Sequence, residues 1–573
     1  MAQVSIGVNQ RSAVTAMALI VAMAVVVALL AHFHDRFWWP VDEGVYAYVA
    51  QRILAGDRMH RDLIDLHGGY GNLINALALH AFGMDLVSLR YPLIAATALQ
   101  SVVVFAILRE RGAWVAAVGA VVAAAFSFIQ FPNPSANWYA LLICFVAVWS
   151  LQRCFRDGVP DLFWPGFLVG LCFFTRQLSA VFLAMGIWTW LLLRPAPGAT
   201  AAPRAARLSA IVIGGGLVGY VVHKGDLFGA VWAGCAPLCL AVLASLRSDV
   251  DTPLLRCWIA RFTVGALVAA LPLVVHHASE DALGEWLRDL FSTPLLINGQ
   301  AFISARSYSE MVAHAIRLLS DGTEAAARLS AAAWLLLFAV VPVVGLIAAR
   351  RVWRSEAVPP ILVVAPFWGM VALHYQIPIY LFFMLPVVLV AVCWAYPVRW
   401  MMLSLVALSA WAVAFQAAQP LSRGIEGTVS GRRIPLDARG GLPRASIAME
   451  AQDQRIFAEL LRTIEAGARP GEPLMTLPMD PELNFMTGRR SPVPYYGTPL
   501  GLRNAHDVEA ALRALDGAAP LFVVHRRGDK YLTPLSAELL EAVRAGSPAP
   551  RRVGPFDLYR FETDQGGRRP GDR

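Results

Sequence analysis

Residues Asp161 to Leu193 read DLFWPGFLVGLCFFTRQLSAVFLAMGIWTWLLL, an apolar run interrupted by Arg176 and Gln177. As one straight helix it would reach roughly 50 Å at 1.5 Å per residue, well beyond a bilayer core of about 30 Å. As two short helices turning at Phe173-Phe174-Thr175-Arg176-Gln177 it crosses twice. The arginines decide between the two. With two spans, Arg109, Arg111, Arg153, Arg156, Arg194, Arg204, Arg207, Arg247, Arg256, Arg261, Arg350, Arg351, Arg354 and Arg399 all share the side of the N-terminus. That obeys the positive-inside rule and makes this side cytoplasmic. With one span, every Arg-rich loop after residue 193 would change sides.

Working outward, apolar runs long enough to cross a bilayer recur near 13–31, 91–108, 112–130, 138–152, 161–175, 177–193, 208–223, 228–246, 258–275, 330–349, 359–374, 378–396 and 400–416, about thirteen by length. The chain is 57% hydrophobic and 15% charged, with mean hydropathy +0.55. It reads as a polytopic α-helical membrane protein. The first run is too long for a signal-peptide core of roughly 7 to 15 residues, and the topology needs it retained. The net charge of +8 resides almost wholly in arginines scattered at the ends of apolar runs. It therefore reports orientation, not a nucleic-acid patch. All seven cysteines lie in or beside apolar runs, so neither a disulfide framework nor a cysteine metal site is expected.

This topology leaves three polar segments outside: residues 32–90, residues 276–329, and the tail after about 417. The first opens on Trp38-Trp39-Pro40-Val41-Asp42-Glu43-Gly44-Val45-Tyr46, two adjacent carboxylates where a helix meets water. A carboxylate there can act as a general base or hold a cation. Asp42 would equally serve as the N-cap of a helix beginning near Tyr46, with Glu43 favoured by its dipole. Short helices along the membrane surface are expected where Tyr46, Val49, Ile53 and Leu54, then Leu73, Leu77 and His80 to Phe82, recur at helical spacing. The second segment has an amphipathic stretch at Trp286 to Phe291 and a loop at Gly299 to Arg306 that could order on ligand binding or simply connect.

In the tail, residues 419–446 read as a linker and residues 447–564 as an external α/β domain. A helix is expected at about 447–466, strands at Leu474–Leu477, Leu521–His525 and Phe556–Phe561, and helices at Val508–Leu515 and Leu535–Val543. Residues 565–573 are expected to be disordered. Residues 1–418 form the transmembrane domain. No Walker or Rossmann glycine motif, His-Glu-x-x-His or Gly-x-Ser-x-Gly occurs, which leaves soluble nucleotide cofactors without a berth.

Asp42-Glu43-Gly44, then Tyr46, Ala50, Gly56, Arg61-Asp62, Asp65-Leu66-His67 and Ser88-Leu89-Arg90, resemble the first external loop of the C-type (GT-C) membrane glycosyltransferases. Within these the loop is similar to the branch holding the protein O-mannosyltransferases of family 39 and the bacterial lipid A aminoarabinose transferases. Leu477-Pro478 and Asn484 to Arg489 resemble a motif in their tails. Most of the chain is covered, with the specificity concentrated in residues 40–92. Where many relatives carry His-x-Pro or Pro-Pro, this chain has His67-Gly68-Gly69-Tyr70-Gly71, a glycine run expected to open space for a different substrate.

The resemblance implies an inverting transferase that takes a sugar from a polyprenyl phosphate and gives it to an acceptor hydroxyl on the external, periplasmic face of a bacterial inner membrane. Asp42 then matches the catalytic base and Glu43 the second acid. The acceptor would be a glycolipid, a polysaccharide or a protein. Arg176, at an external turn where an unpaired charge is expensive, is the candidate phosphate ligand, with lipid snorkelling as the plain alternative. Asp62, Asp65, His67, Tyr70, Gln177, His374 and Tyr375 complete the candidate substrate-binding set, and Lys224 reads as a headgroup anchor. No cofactor is called for, although His276-His277-Ala278-Ser279-Glu280-Asp281 with Asp42 could hold a divalent cation on oxygen ligands. Competing readings are a transporter or flippase, an enzyme of the O-antigen polymerase or ligase type, and an inactive scaffold.

Overall fold

In this computed structural model the chain is described over residues 2–155, 161–194, 204–300, 307–322, 324–425, 434–436 and 440–562, with side chains from Ser12 onward. α1 (Ala2–Phe33) leads to two short helices, α2 (Pro40–Leu54) and α3 (Tyr70–Phe82). There follow α4 (Tyr91–Leu108), α5 (Ala113–Ala125), α6 (Ala136–Cys154), α7 (Phe163–Thr175), α8 (Gln177–Leu192), α9 (Arg204–Lys224), α10 (Leu227–Arg247) and α11 (Thr252–Ser279). After α12 (Leu283–Asn298) and α13 (Tyr308–Asp321) come α14 (Ala325–Trp353), α15 (Pro360–Leu373), α16 (Pro378–Ala395) and α17 (Arg399–Ala418). Among the described residues nine helices are long and apolar enough to cross a membrane, and α7, α8 and α15 are shorter apolar helices. Together with α6 they account for every expected run. The chain is a polytopic α-helical membrane protein with a small C-terminal α/β domain.

The decisive run is a hairpin. Arg176 is extended, with φ −151° and ψ 97°, and Phe262 of α11 meets both Gly166 near the start of α7 and Trp188 near the end of α8. One residue touching those two levels requires α7 and α8 to run antiparallel. The α7–α11 contact is backbone to backbone: a Cβ on Gly166 would come 2.0 Å from the Phe262 carbonyl oxygen. Small residues allow such close approach where lipid offers no hydrophobic drive to pack.

Arginines from separate loops converge at the end opposite Arg176. Arg111 and Arg351 both cover the Trp394 ring, Arg194 covers Phe155 and Trp190, and Arg247 covers Trp353. Stacking on interfacial aromatics buries the stem of each arginine and leaves its charge at the surface. Arg156 and the Ala301–Arg306 part of the expected loop lie outside the described residues, as does the 565–573 tail.

The C-terminal domain comprises α18 (Ala451–Gly467), β1 (Leu474–Leu477), α19 (Pro481–Thr487), α20 (Thr498–Gly501), α21 (Ala505–Ala518), β2 (Leu521–Arg526), α22 (Pro534–Ala545), β3 (Arg551–Val553) and β4 (Phe556–Phe561). The sheet runs β1-β2-β4-β3, parallel between β1 and β2 and antiparallel elsewhere. β3 was not expected, because an Arg-Arg-Val edge strand carries no alternating apolar signal.

This domain shares a core with the first external loop. Trp38, Tyr48, Val49, Leu79 and Leu89 pack with Phe457, Leu460, Leu483, Phe485 and Phe556. Backbone bonds reinforce the contact: Phe37 N donates to Ala448 O (2.9 Å), Ala448 N to Asp35 O (2.8 Å), and Leu86 N to Arg444 O (3.0 Å). The expected linker 419–446 is therefore pinned at its far end, where Leu442 and Ala445 are buried in the same core. Residues 426–433 and 437–439 of it lie outside the described residues. Gly44, beside the carboxylate pair, packs directly on this domain: a Cβ there would sit 2.4 Å from Glu482 N of α19.

Candidate active site

A cavity of about 410 Å³ opens where α2, the start of α6, the α7–α8 tip and the α15–α16 turn meet the C-terminal domain. A second, more open depression of about 480 Å³ lies beside Arg61 and Asp281, which pair with each other at 3.1 Å. The more enclosed cavity brings together Asp42, His67, Arg176, His374 and Tyr375 from the expected set, from four separate parts of the chain.

Pro40 opens α2 at the first helical position, where its fixed φ fits and its missing N–H costs nothing. Trp39, not Asp42, is therefore the N-cap, and it has no side-chain cap. The expected helix start near Tyr46 and N-cap role of Asp42 are corrected. Asp42 and Glu43 both sit in the first turn, about 100° apart around the axis, and meet different surroundings. Asp42 opens into the cavity and, among the described residues, has no hydrogen-bond or ion-pair partner. Protein packed around the cavity pushes its carboxyl up to about 6, with the Lys530 charge opposing.

Glu43 turns inward and does not line the cavity. Its carboxylate accepts from Arg90 Nε (2.7 Å) and from Trp39 N (3.3 Å), and it lies 2.6 Å from Arg90 Nη2. Arg90 Nη1 also donates to the carbonyls of His34 (2.8 Å) and Arg36 (3.1 Å), and Nη2 to that of Phe37 (2.7 Å). Burial pushes Glu43 up to about 7, with the Arg90 charge opposing. The pair clamps both ends of the first external loop beneath Asp42.

His67 reaches the cavity with its Nδ1 held by Asp65 at 3.1 Å. Asp65 is buried and also accepts from Asn72 Nδ2 (2.6 Å) and the Tyr496 hydroxyl (2.9 Å). Burial would raise the Asp65 carboxyl, but the charge and hydrogen bond of His67, the His60 charge and the Asn72 bond hold it well below the usual carboxylate range. A carboxylate at Nδ1 makes that nitrogen the donor and presents Nε2 to the cavity. Of the glycines after His67, Gly71 has open space beside it, whereas Gly68 and Gly69 do not. A Cβ on Gly68 would come 2.6 Å from Phe174 O, and Gly69 adopts φ +125°, so this run presses the loop onto the α7 tip.

Arg176, at that tip, donates from Nη2 to the Tyr380 hydroxyl (3.1 Å). Its Nε is buried without a partner, and among the described residues no carboxylate pairs with it. A guanidinium in this state is poised for an anion.

Like Glu43 and Asp65, three further expected residues lie outside the cavity lining. Asp62 pairs with Arg58 at 3.1 Å in the surface loop, the Tyr70 hydroxyl donates to Ala269 O (2.6 Å), and Gln177 Nε2 donates to Leu66 O (3.4 Å). The last two tie the loop to the bundle. Lys224 likewise donates to Asn298 O (3.4 Å). In the expected cation cluster, His277 stacks on Trp286 at 4.8 Å, which removes it from Asp42. Among the described residues no group of three His, Cys, Asp or Glu is arranged to hold a metal.

Sequence reasoning missed Asn133, Ser135 and Asn137, which line the cavity from the start of α6. The polar, proline-broken Phe131 to Asn137 at an external turn was the available signal. It also missed Tyr380, Tyr496, Lys530 and Tyr531.

No family model matches the sequence, and no curated protein does. Solved structures do. ArnT from Cupriavidus metallidurans bound to undecaprenyl phosphate is similar over 95% of this chain and 97% of its own, at 12% identity and a TM-score of 0.47. ArnT in its apo state is similar over the same shares, at 13% and 0.39. The Archaeoglobus fulgidus oligosaccharyltransferase in complex with zinc and sulfate is similar over 95% of this chain and 73% of its own, at 12% and 0.41.

Proposed function

We propose that the chain is an inverting GT-C-type glycosyltransferase that moves a sugar from a polyprenyl-phosphate donor to an acceptor hydroxyl. One observation carries this reading: a carboxylate, Asp42, with no partner among the described residues, and a guanidinium, Arg176, with no acid partner among them, line one cavity at the membrane end away from the stacked arginines. As the acceptor oxygen bonds to the anomeric carbon and the bond from that carbon to the phosphate oxygen breaks, Asp42 takes the hydroxyl proton. Arg176 meets the released phosphate. A single displacement inverts the anomeric centre and needs one base.

Phe131, Ile297, Ile377, Ile379 and Phe383 supply an apolar wall suited to the first isoprene units. His67, oriented by Asp65, and the amides of Asn133 and Asn137 supply polar groups for a sugar. The likeness of the first loop to the family 39 and aminoarabinose-transferase branch supports the same reading. With the N-terminus cytoplasmic, the cavity faces the periplasm of a bacterial inner membrane. Nucleotide sugars do not reach that side, and a lipid-linked donor does. Glycolipids, polysaccharides and proteins are the acceptor classes. A flippase would place polar groups at mid-membrane, whereas the catalytic set here lies at one end of the bundle.

The test is turnover by the full chain in lipid nanodiscs with a panel of polyprenyl-phosphate sugars, reading polyprenyl phosphate release that depends on acceptor. Because the base must be the anion and its carboxyl is raised to about 6, kcat/KM should fall about tenfold per pH unit below 6 and level off above it. The other ionisable groups on the cavity wall are His67, Arg176, His374, Lys530 and the tyrosines. Transport of a lipid-linked sugar in sealed vesicles, with no turnover of any donor, would contradict the assignment.

A further inference from the structure

The C-terminal domain does more than cover the cavity. Lys530 and Tyr531, in the turn between β2 and α22, are part of its wall. Of 48 basic residues apart from histidine, only Lys224 and Lys530 are lysines, so a lysine at this turn departs from the chain's own habit. The turn is firmly held. Arg526 at its start pairs with Asp480 and with Glu482 (3.1 Å), and Arg527 N donates to Pro555 O (2.9 Å). Asp529 accepts from Tyr531 N (2.8 Å), and Thr533 caps α22 by accepting from Ser536 N (3.2 Å).

At the tip of this anchored turn, Lys530 has no carboxylate partner among the described residues. Its Nζ donates to the Tyr375 hydroxyl (3.4 Å) and lies 4.8 Å from the Tyr531 ring centroid. Tyr375 packs edge-on against Tyr380 at 5.8 Å, and the Tyr380 hydroxyl accepts from Arg176. Two cations without acid partners thus stand on one wall, joined through two tyrosines.

The charge balance of the transfer calls for two. A sugar polyprenyl phosphate is a diester with one negative charge. When its bond to the anomeric carbon breaks, the electron pair stays on the phosphate oxygen and the proton of the acceptor hydroxyl goes to Asp42. The released monoester carries up to two negative charges, since its second pKa is about 6. One cation matches the donor, and the additional charge develops only as the bond breaks. Groups that meet developing charge lower the barrier, while those that bind the ground state equally do not.

We propose that Lys530 is a second phosphate-binding residue that meets this developing charge, so that the two domains build the leaving-group site jointly. The proposal rests on the transferase reading above. Lysine suits the role because it is a compact charge with rotatable donors that can follow a moving phosphate, whereas Arg176 holds a fixed fork.

The experiment compares wild type, Lys530→Met, Lys530→Arg and Asp42→Asn as full chains in nanodiscs. It reads kcat, donor KM, thermal unfolding, and direct binding of polyprenyl phosphate itself. Lys530→Met should lower kcat about 10- to 100-fold, the scale of one charge-assisted hydrogen bond. It should weaken polyprenyl phosphate binding by a similar factor, leave donor KM within about threefold, and leave the unfolding temperature unchanged. Lys530→Arg, which keeps the charge but not the compact, rotatable ammonium, should recover only part of the loss. Unchanged kcat and unchanged polyprenyl phosphate binding in Lys530→Met would overturn the proposal, and with an inactive Asp42→Asn the transferase reading would survive. If wild type turns over no donor, that reading fails, and the binding measurement still decides: a Lys530→Met chain that binds polyprenyl phosphate as wild type does, or a wild type that does not bind it, overturns the role of Lys530.

Discussion

Asp42→Asn is expected to cut transfer by about 10²- to 10⁴-fold, the usual contribution of a positioned general base, while donor binding and unfolding temperature stay near wild type. The side chain holds nothing in place. It is not the cap of α2, which begins at Pro40 behind Trp39, and among the described residues it makes no hydrogen bond that the amide would lose. The substitution keeps shape and removes only the proton acceptor. Initial rates with a saturating lipid-linked donor, beside donor affinity and a melting curve, check this. Full activity would remove Asp42 from the chemistry, and a collapse in melting temperature would make it structural.

Arg90→Ala is expected to be the most damaging single change to the fold, costing about 3–5 kcal/mol, the range found when one partner of a buried ion pair is removed. Arg90 is fully buried and serves Glu43 together with the carbonyls of His34, Arg36 and Phe37. Removing it strips four acceptors at once and leaves Glu43 in a dry site, where the carboxyl would rise further. Since Glu43 and Asp42 share one helical turn, activity should fall along with stability. Glu43→Gln should do less harm, because the amide oxygen still accepts from the guanidinium and the three carbonyl bonds remain. Thermal unfolding of both variants in the same nanodiscs checks the order. An Arg90→Ala chain as stable as wild type would mean that the clamp holds nothing.

The two spans at Asp161 to Leu193 were legible because charge bookkeeping is a global constraint: many arginines would have changed sides had α7 and α8 been one helix. The Asp42-Glu43 pair stood out in the sequence with different expected roles, base and second acid, but adjacency along the chain hides the angle between them around a helix, which turns only Asp42 toward the cavity. Pro40 was an overlooked signal for where that helix begins. The glycines after His67 were read as open space because their permissiveness suggests freedom, yet Gly68 is spent on contact with the Phe174 backbone. Lys530 lay beyond reach for another reason. It comes to Tyr375 only through the fold of a separate domain, and no local pattern marks a residue whose partner is 155 positions away.

The most direct measurement is a cryo-electron microscopy structure of the full chain in a nanodisc with polyprenyl phosphate. The phosphate is expected in the cavity, in contact with Arg176 and Lys530, with the isoprenoid along Phe131, Ile379 and Phe383 and the Asp42 carboxylate facing open space for a sugar and an acceptor. Phosphate density at the arginine-rich end, or in the open depression beside Arg61, with this cavity empty, would contradict the assignment of the active site.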